Sequence, residues 1–144
     1  MNFTDLPDYL EWANRRAAQM LQETPSPEGV RIFAHLLAAE AIWAGRILGE
    51  LSAFPQRPDW NLAQCVNQIP TNAALYRDII ERFSETDVAR YQNSKGEEFE
   101  SLVSDLLRHV FAHGAYHRGQ LSQEVKNGGG EIIDTDYYIF IKRQ

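Results

Sequence analysis

Histidine is scarce in this chain, four residues in 144, yet three of the four fall close together at His109, His113 and His117 in the run HVFAHGAYHRGQL. An imidazole is a nitrogen ligand for borderline metals and a proton carrier near neutral pH. Spacing decides which use is open. Residues four apart share one helix face about 6 Å from each other, so two such rings can close on one ion. His109 and His117 are separated by about 12 Å of helix rise, too far to share one. Projected at about 100° per residue from His113, the apolar residues Val103, Leu106, Leu107, Val110, Leu121 and Val125, with Gly114, fill an arc from about 20° to 120°. His117 falls inside that arc at about 40°, His113 at its edge and His109 outside it at about −40°. The pair aimed inward is therefore His113 and His117. Gly114, on the same face, leaves room for another helix, a ligand or a metal to come close.

Two ligands do not make a site. The remaining histidine is His35, in the apolar run IFAHLLAAEAIWAGRI. A buried histidine in such a run can be a core residue bonded to a carbonyl or carboxylate, or it can supply the third ligand of an open metal site. The residues leave both readings standing. Other metal patterns are absent. The positions three before His35, His109, His113 and His117 are Ile32, Leu106, Val110 and Gly114, so there is no Glu-x-x-His pair for a di-iron bundle. His-Glu-x-x-His is absent too, and the lone cysteine, Cys65, excludes an internal disulfide and a cysteine-pair zinc site. Around the histidines, Gln120 projects at about −20°, where it can bond a ligand or face solvent. Arg118 projects about 140° away, which suits a salt bridge or a dimer contact. Glu124 lies on the site side but about 10 Å up the helix from His117. Trp43 and Trp60 read as core or rim aromatics, and Cys65 as a packed thiol.

The elements that must hold these residues are helices. Residues 5–22 place Leu6, Leu10, Ala13, Ala17, Met20 and Leu21 at three- and four-residue steps. Ser26 then caps a second helix with Pro27 in its first turn. From 30 to 51 this helix is apolar on nearly every face, as a central helix should be. Leu62, Val66, Ile69, Ala73, Tyr76, Ile80 and Phe83 continue one stripe through Pro70, which predicts a third helix kinked or broken at the proline. Between 88 and 99 the stripe lapses, and the turn residues of YQNSKG suggest a short β-hairpin. The fourth helix is expected over 100–126, stopped by Asn127 and three glycines. The tail TDYYIF reads as a short docked helix. The fold class is all-α: one domain over 1–144, a four-helix bundle with a longer connection, and a short hairpin, between the third and fourth helices.

A composition of 44% apolar and 24% charged residues is that of a globular domain. No apolar run approaches the roughly 18 residues of a membrane span, and the N-terminus lacks a secretory pattern. The expected location is cytoplasmic. A net charge of −6, without a basic cluster, argues against nucleic acid as partner.

The run ending HRGQL, the segment HLLAAEAIWAGRILGE, the stretch YQNSKGEE and the closing TDYYIF resemble the DinB-like family of damage-inducible bacterial proteins. The likeness covers nearly the whole chain and is strongest over 88–143. It implies a four-helix bundle holding one divalent metal through His35, His113 and His117, with His109 as a packing residue or a support behind the ligands. Zinc or nickel is favoured, with iron or manganese next. Relatives include metal-dependent transferases using low-molecular-weight thiols and hydrolases, so the resemblance implies a small-molecule substrate, a thiol among the candidates, and a homodimer as one assembly. A non-catalytic metal-binding bundle serving in a stress response is the alternative.

Overall fold

The computed structural model describes residues 2–50 and 54–143. Its helices are α1 (Leu6–Glu23), α2 (Pro27–Leu48), α3 (Leu62–Arg82), α4 (Val103–Asn127) and a short α5 (Tyr137–Lys142), with a hairpin of β1 (Val88–Gln92) and β2 (Glu98–Leu102) between α3 and α4. The chain is thus a helical bundle with a small antiparallel sheet, as its apolar spacing predicts.

Capping chemistry sets the boundaries. The Gly29 amide donates to Ser26 Oγ at 3.0 Å, which starts α2, and Gly49 ends it with φ of 80°, a conformation that a side chain would strain. Leu51, expected in this helix, lies outside the described residues. Asn61 and Gln64 form a reciprocal capping box at the head of α3. That helix runs through Pro70 without the break that the proline could have caused. Ile69, Ala73, Tyr76 and Ile79 bury one continuous stripe across the proline. Packing of both halves against the same neighbours outweighs the loss of one backbone bond, about 3 kcal/mol.

The fourth helix starts at Val103 rather than at position 100, because Glu100 and Leu102 pair with Arg90 and Val88 in the hairpin. The hairpin turns at Asn93–Gly96, with Gly96 at φ of 79°. In the tail, α5 forms as expected and docks Phe140 against Tyr9 and Trp12.

α2 is the central helix, packed against α3, α4 and β1, while α1 packs on α3 and α4. Its side chains Phe33, Leu36, Leu37, Ala38 and Ala44 are fully buried. Among the described residues no helix is long and apolar enough to cross a membrane.

Within this apolar interior sits a polar layer drawing one residue from each long helix: Asn14, Glu40, Asn72 and Arg118, each at most 2% exposed. Asn14 Nδ2 donates to both Glu40 oxygens at 3.0 and 3.1 Å, and Asn72 Nδ2 donates to Glu40 Oε1 at 3.0 Å. Arg118 Nη1 donates to Asn14 Oδ1 at 2.8 Å and lies 4.0 Å from Glu40 Oε2. Tyr76 donates to the Glu40 carbonyl at 2.6 Å.

Candidate metal centre

Three imidazoles from two helices converge where α2 meets α4. His35, His113 and His117 each offer a nitrogen within 4.8 Å of the others, a group that could hold a metal ion, and no other His, Cys, Asp or Glu of the described residues joins it. Two of the rings are oriented from behind. His35 Nδ1 lies 2.8 Å from the Gln56 carbonyl, which can only accept, so that nitrogen donates and in the neutral tautomer Nε2 is the one with the lone pair. His117 Nδ1 lies 2.7 Å from Gln120 Oε1, with the same consequence, and Gln120 Nε2 donates in turn to the Tyr116 hydroxyl at 3.3 Å.

The Nε2 atoms of His113 and His117 face each other at 3.1 Å. With the lone pair of His117 pointing at its neighbour, that spacing suits an N–H···N bond from His113 Nε2, or a cation held between the two nitrogens. Metal–imidazole bonds of about 2.0–2.1 Å place two nitrogens of a tetrahedral ion roughly 3.4 Å apart. The donor set fits a borderline divalent ion in both type and spacing.

Electrostatics agree. Burial pushes His113 down to about 4, and His117, His35, His109 and Arg57 add to the effect. His117 is also lowered, by burial first, with His35 and Arg57 assisting and the Gln120 bond opposing. Both rings are therefore neutral at physiological pH, the form that ligates a metal. His35 and His117 line a cleft of about 640 Å³ whose walls also include Ile32, Arg57, Tyr116, Gln120 and Glu124, and His113 stands behind them. The cleft is large enough for a small molecule.

His109 is exposed, edge-on to Trp43 at 5.0 Å, and stands outside the three-nitrogen group. Gln120 supports His117 rather than His113. Arg118 forms the buried pair with Glu40, the salt bridge its projection suggested. The space at Gly114 serves a different end from ligand access: a Cβ there would lie 3.0 Å from Arg118 Nη1, so the glycine makes room for the buried guanidinium. Trp43 packs against the core around Tyr9, Leu107 and Phe140 and Trp60 against the core around Phe33, Leu36 and Leu121, and burial pushes the fully enclosed Cys65 thiol up to about 11, leaving it inert.

Sequence reasoning missed Gln56 and Arg57, because a loop residue carries no periodic signal of what it faces. It also missed the buried polar layer. For Glu40 a signal existed, an acid in a helix apolar on nearly every face.

Residues 27–144 match the model of the DinB family. A curated relative, Protein DinB of Bacillus subtilis (strain 168), is 23% identical over an alignment covering 94% of this chain and 91% of that protein. No solved structure matches.

Proposed function

This chain belongs to the DinB family, and from that premise we propose that it is a metalloprotein whose His35, His113 and His117 hold one divalent ion, working as a metal-dependent enzyme of the thiol-transferase or hydrolase type. One observation carries the reading: three imidazole nitrogens converge beside an open cleft that His35 and His117 line, and no fourth protein donor joins them among the described residues. A structural site closes its coordination with protein, whereas a catalytic one keeps a position for an outside molecule. A divalent ion held there would supply a Lewis acid able to lower the pKa of a bound group or polarise one. The chain's own part is to hold the rings. Gln56 and Gln120 direct the N–H groups of His35 and His117 away from the ion, and burial keeps His113 uncharged.

Zinc or nickel is the favoured ion, with iron or manganese next, since imidazole serves all of them and cellular supply selects. The substrate is a small molecule sized to the cleft, with a low-molecular-weight thiol first among the candidates. A non-catalytic metal-binding role is the second reading, favoured by the absence of any carboxylate from the three-histidine group, which leaves no positioned general base.

The test is elemental analysis of protein purified without a nickel column, combined with activity screens with and without thiols. Stoichiometric metal with turnover establishes the enzyme. Metal without turnover across thiol and hydrolase panels establishes the binding role, and absence of any stoichiometric metal overturns both.

A further inference from the structure

The walls of the histidine cleft carry two charges of opposite sign that find no partner among the described residues. Arg57 comes from the loop between α2 and α3, and its neighbour Gln56 is the residue that bonds His35, so the guanidinium is tethered beside the imidazoles. It is near enough to both rings on α4 to lower the basicity of each. No acid answers it: among the described residues Arg57 has neither a salt bridge nor a hydrogen bond. On the far side stands Glu124, two helical turns beyond His117 on the same face of α4, about 10 Å along the axis. It too lacks a partner among the described residues, whereas the cleft's other acid, Glu28, is engaged by Arg31 at 2.7 Å.

Resting on the open-site reading above, we infer that the cleft selects small molecules bearing both an acid group and an amino group, Arg57 holding the acid and Glu124 the amine while a third atom reaches the histidines. A free guanidinium recognises a carboxylate with paired donors, and a free carboxylate recognises an ammonium. Bonds to charged groups are stronger than neutral ones, and a cleft with walls on several sides screens them less than an open surface does.

The test uses the cobalt-loaded protein, whose visible spectrum reports ligand entry without any turnover. Four thiols of similar length serve as probes: propanethiol, mercaptopropionate, aminopropanethiol and homocysteine, bearing neither group, the acid, the amine and both. Homocysteine should bind tightest. R57Q should weaken mercaptopropionate and homocysteine about five- to tenfold and leave the other two within about twofold. E124Q should do the same to aminopropanethiol and homocysteine. Four equal affinities, or variants that weaken all four probes alike, overturn this inference and leave the open site standing. A cobalt spectrum indifferent to every probe overturns the open site, and this inference with it.

Discussion

His117 and Arg118 are adjacent in sequence and end in opposite surroundings. His117 opens to the cleft with one nitrogen bonded to Gln120 and the other directed at His113. Arg118 is fully buried, its guanidinium between Asn14, Glu40 and Tyr9, and of its nitrogens only Nε lacks a partner. One residue step turns a helix by about 100°, so α4 presents two polar faces that do different work. The histidine face leaves bonding capacity open for something from outside. The arginine face closes nearly all of its capacity inside and ties the four long helices at one level. Glu40 is five residues beyond His35 on α2, and Arg118 adjoins His117 on α4. The buried layer therefore holds the two helices in the register that brings the three imidazoles together.

This contrast predicts that the two faces fail differently. Arg118→Met should cost the most stability, about 3–5 kcal/mol, because it strands the buried Glu40 carboxylate without its counter-charge. Urea denaturation in the presence of a chelator measures it, and a loss under about 1 kcal/mol would mean that the layer is ornamental. Adding Glu40→Leu to that variant should recover much of the loss, since an apolar pair is often as stable as the buried ion pair it replaces.

The histidine face should show the reverse. His35→Ala, His113→Ala and His117→Ala should each weaken metal binding by at least about a hundredfold, the upper end of what losing even a supporting bond to a ligand costs. His109→Ala should change it little, because that ring packs on Trp43 outside the group. All four variants, and the chelated wild type, should keep their helical circular dichroism, as the core stripes do not depend on the metal. Strong loss in His109→Ala with binding retained in His117→Ala would move the site one turn toward the N-terminus of α4.

The two faces also differed in how far the sequence disclosed them. His35, His113 and His117 could be read because a helix has a fixed period: spacing chose the pair on α4, and the family resemblance supplied the third. The hairpin and α5 were legible from turn residues and a lapse of periodicity. The apolar stripe that continues through Pro70 was legible as one face, while local propensity alone could not say that α3 stays unbroken there. The start of α4 was placed too early because strand pairing of Glu100 and Leu102 depends on residues ten or more positions upstream. The buried layer and the Gln56 carbonyl behind His35 were hidden for a related reason. Each is a contact between distant segments, and one sequence records no such pairing.

Between those extremes lies Gln120, which belongs to the open face but touches it only through His117. Gln120→Ala should lower metal affinity about tenfold, within the range of lost supporting bonds, by freeing the ring to turn and to move its proton. Being exposed, the residue should affect unfolding by no more than about 0.5 kcal/mol. Competition titration against a chromophoric chelator reads the first quantity, and an affinity equal to wild type would show that packing alone orients His117.

The smallest effect expected is a pH dependence of the metal-free chain, and it comes from the open face. His113 sits at about 4 when folded against an ordinary value of 6.5, so between those limits the unfolded chain binds the extra proton. The sign follows. Stability is at its full value above about 6.5, declines as the pH falls toward about 4, and has no further loss from this group below that. Because the ring is half-buried, solvent trims the effect. Glu40 acts in the opposite direction: burial raises its carboxyl, and the Arg118 charge with the bonds from Asn14 and Asn72 only partly offsets this, so its contribution falls as pH rises above the ordinary carboxylate range. The wild-type profile alone therefore mixes two opposed slopes. Comparison with His113→Gln separates them, since Glu40 is common to both chains and cancels in the difference. Urea midpoints of the chelated proteins at pH 7.5 and 4.5 should show the wild type losing more stability on acidification than the variant. Equal losses would mean that His113 meets enough water to titrate as an ordinary histidine, and the open face would then be wetter than its burial indicates.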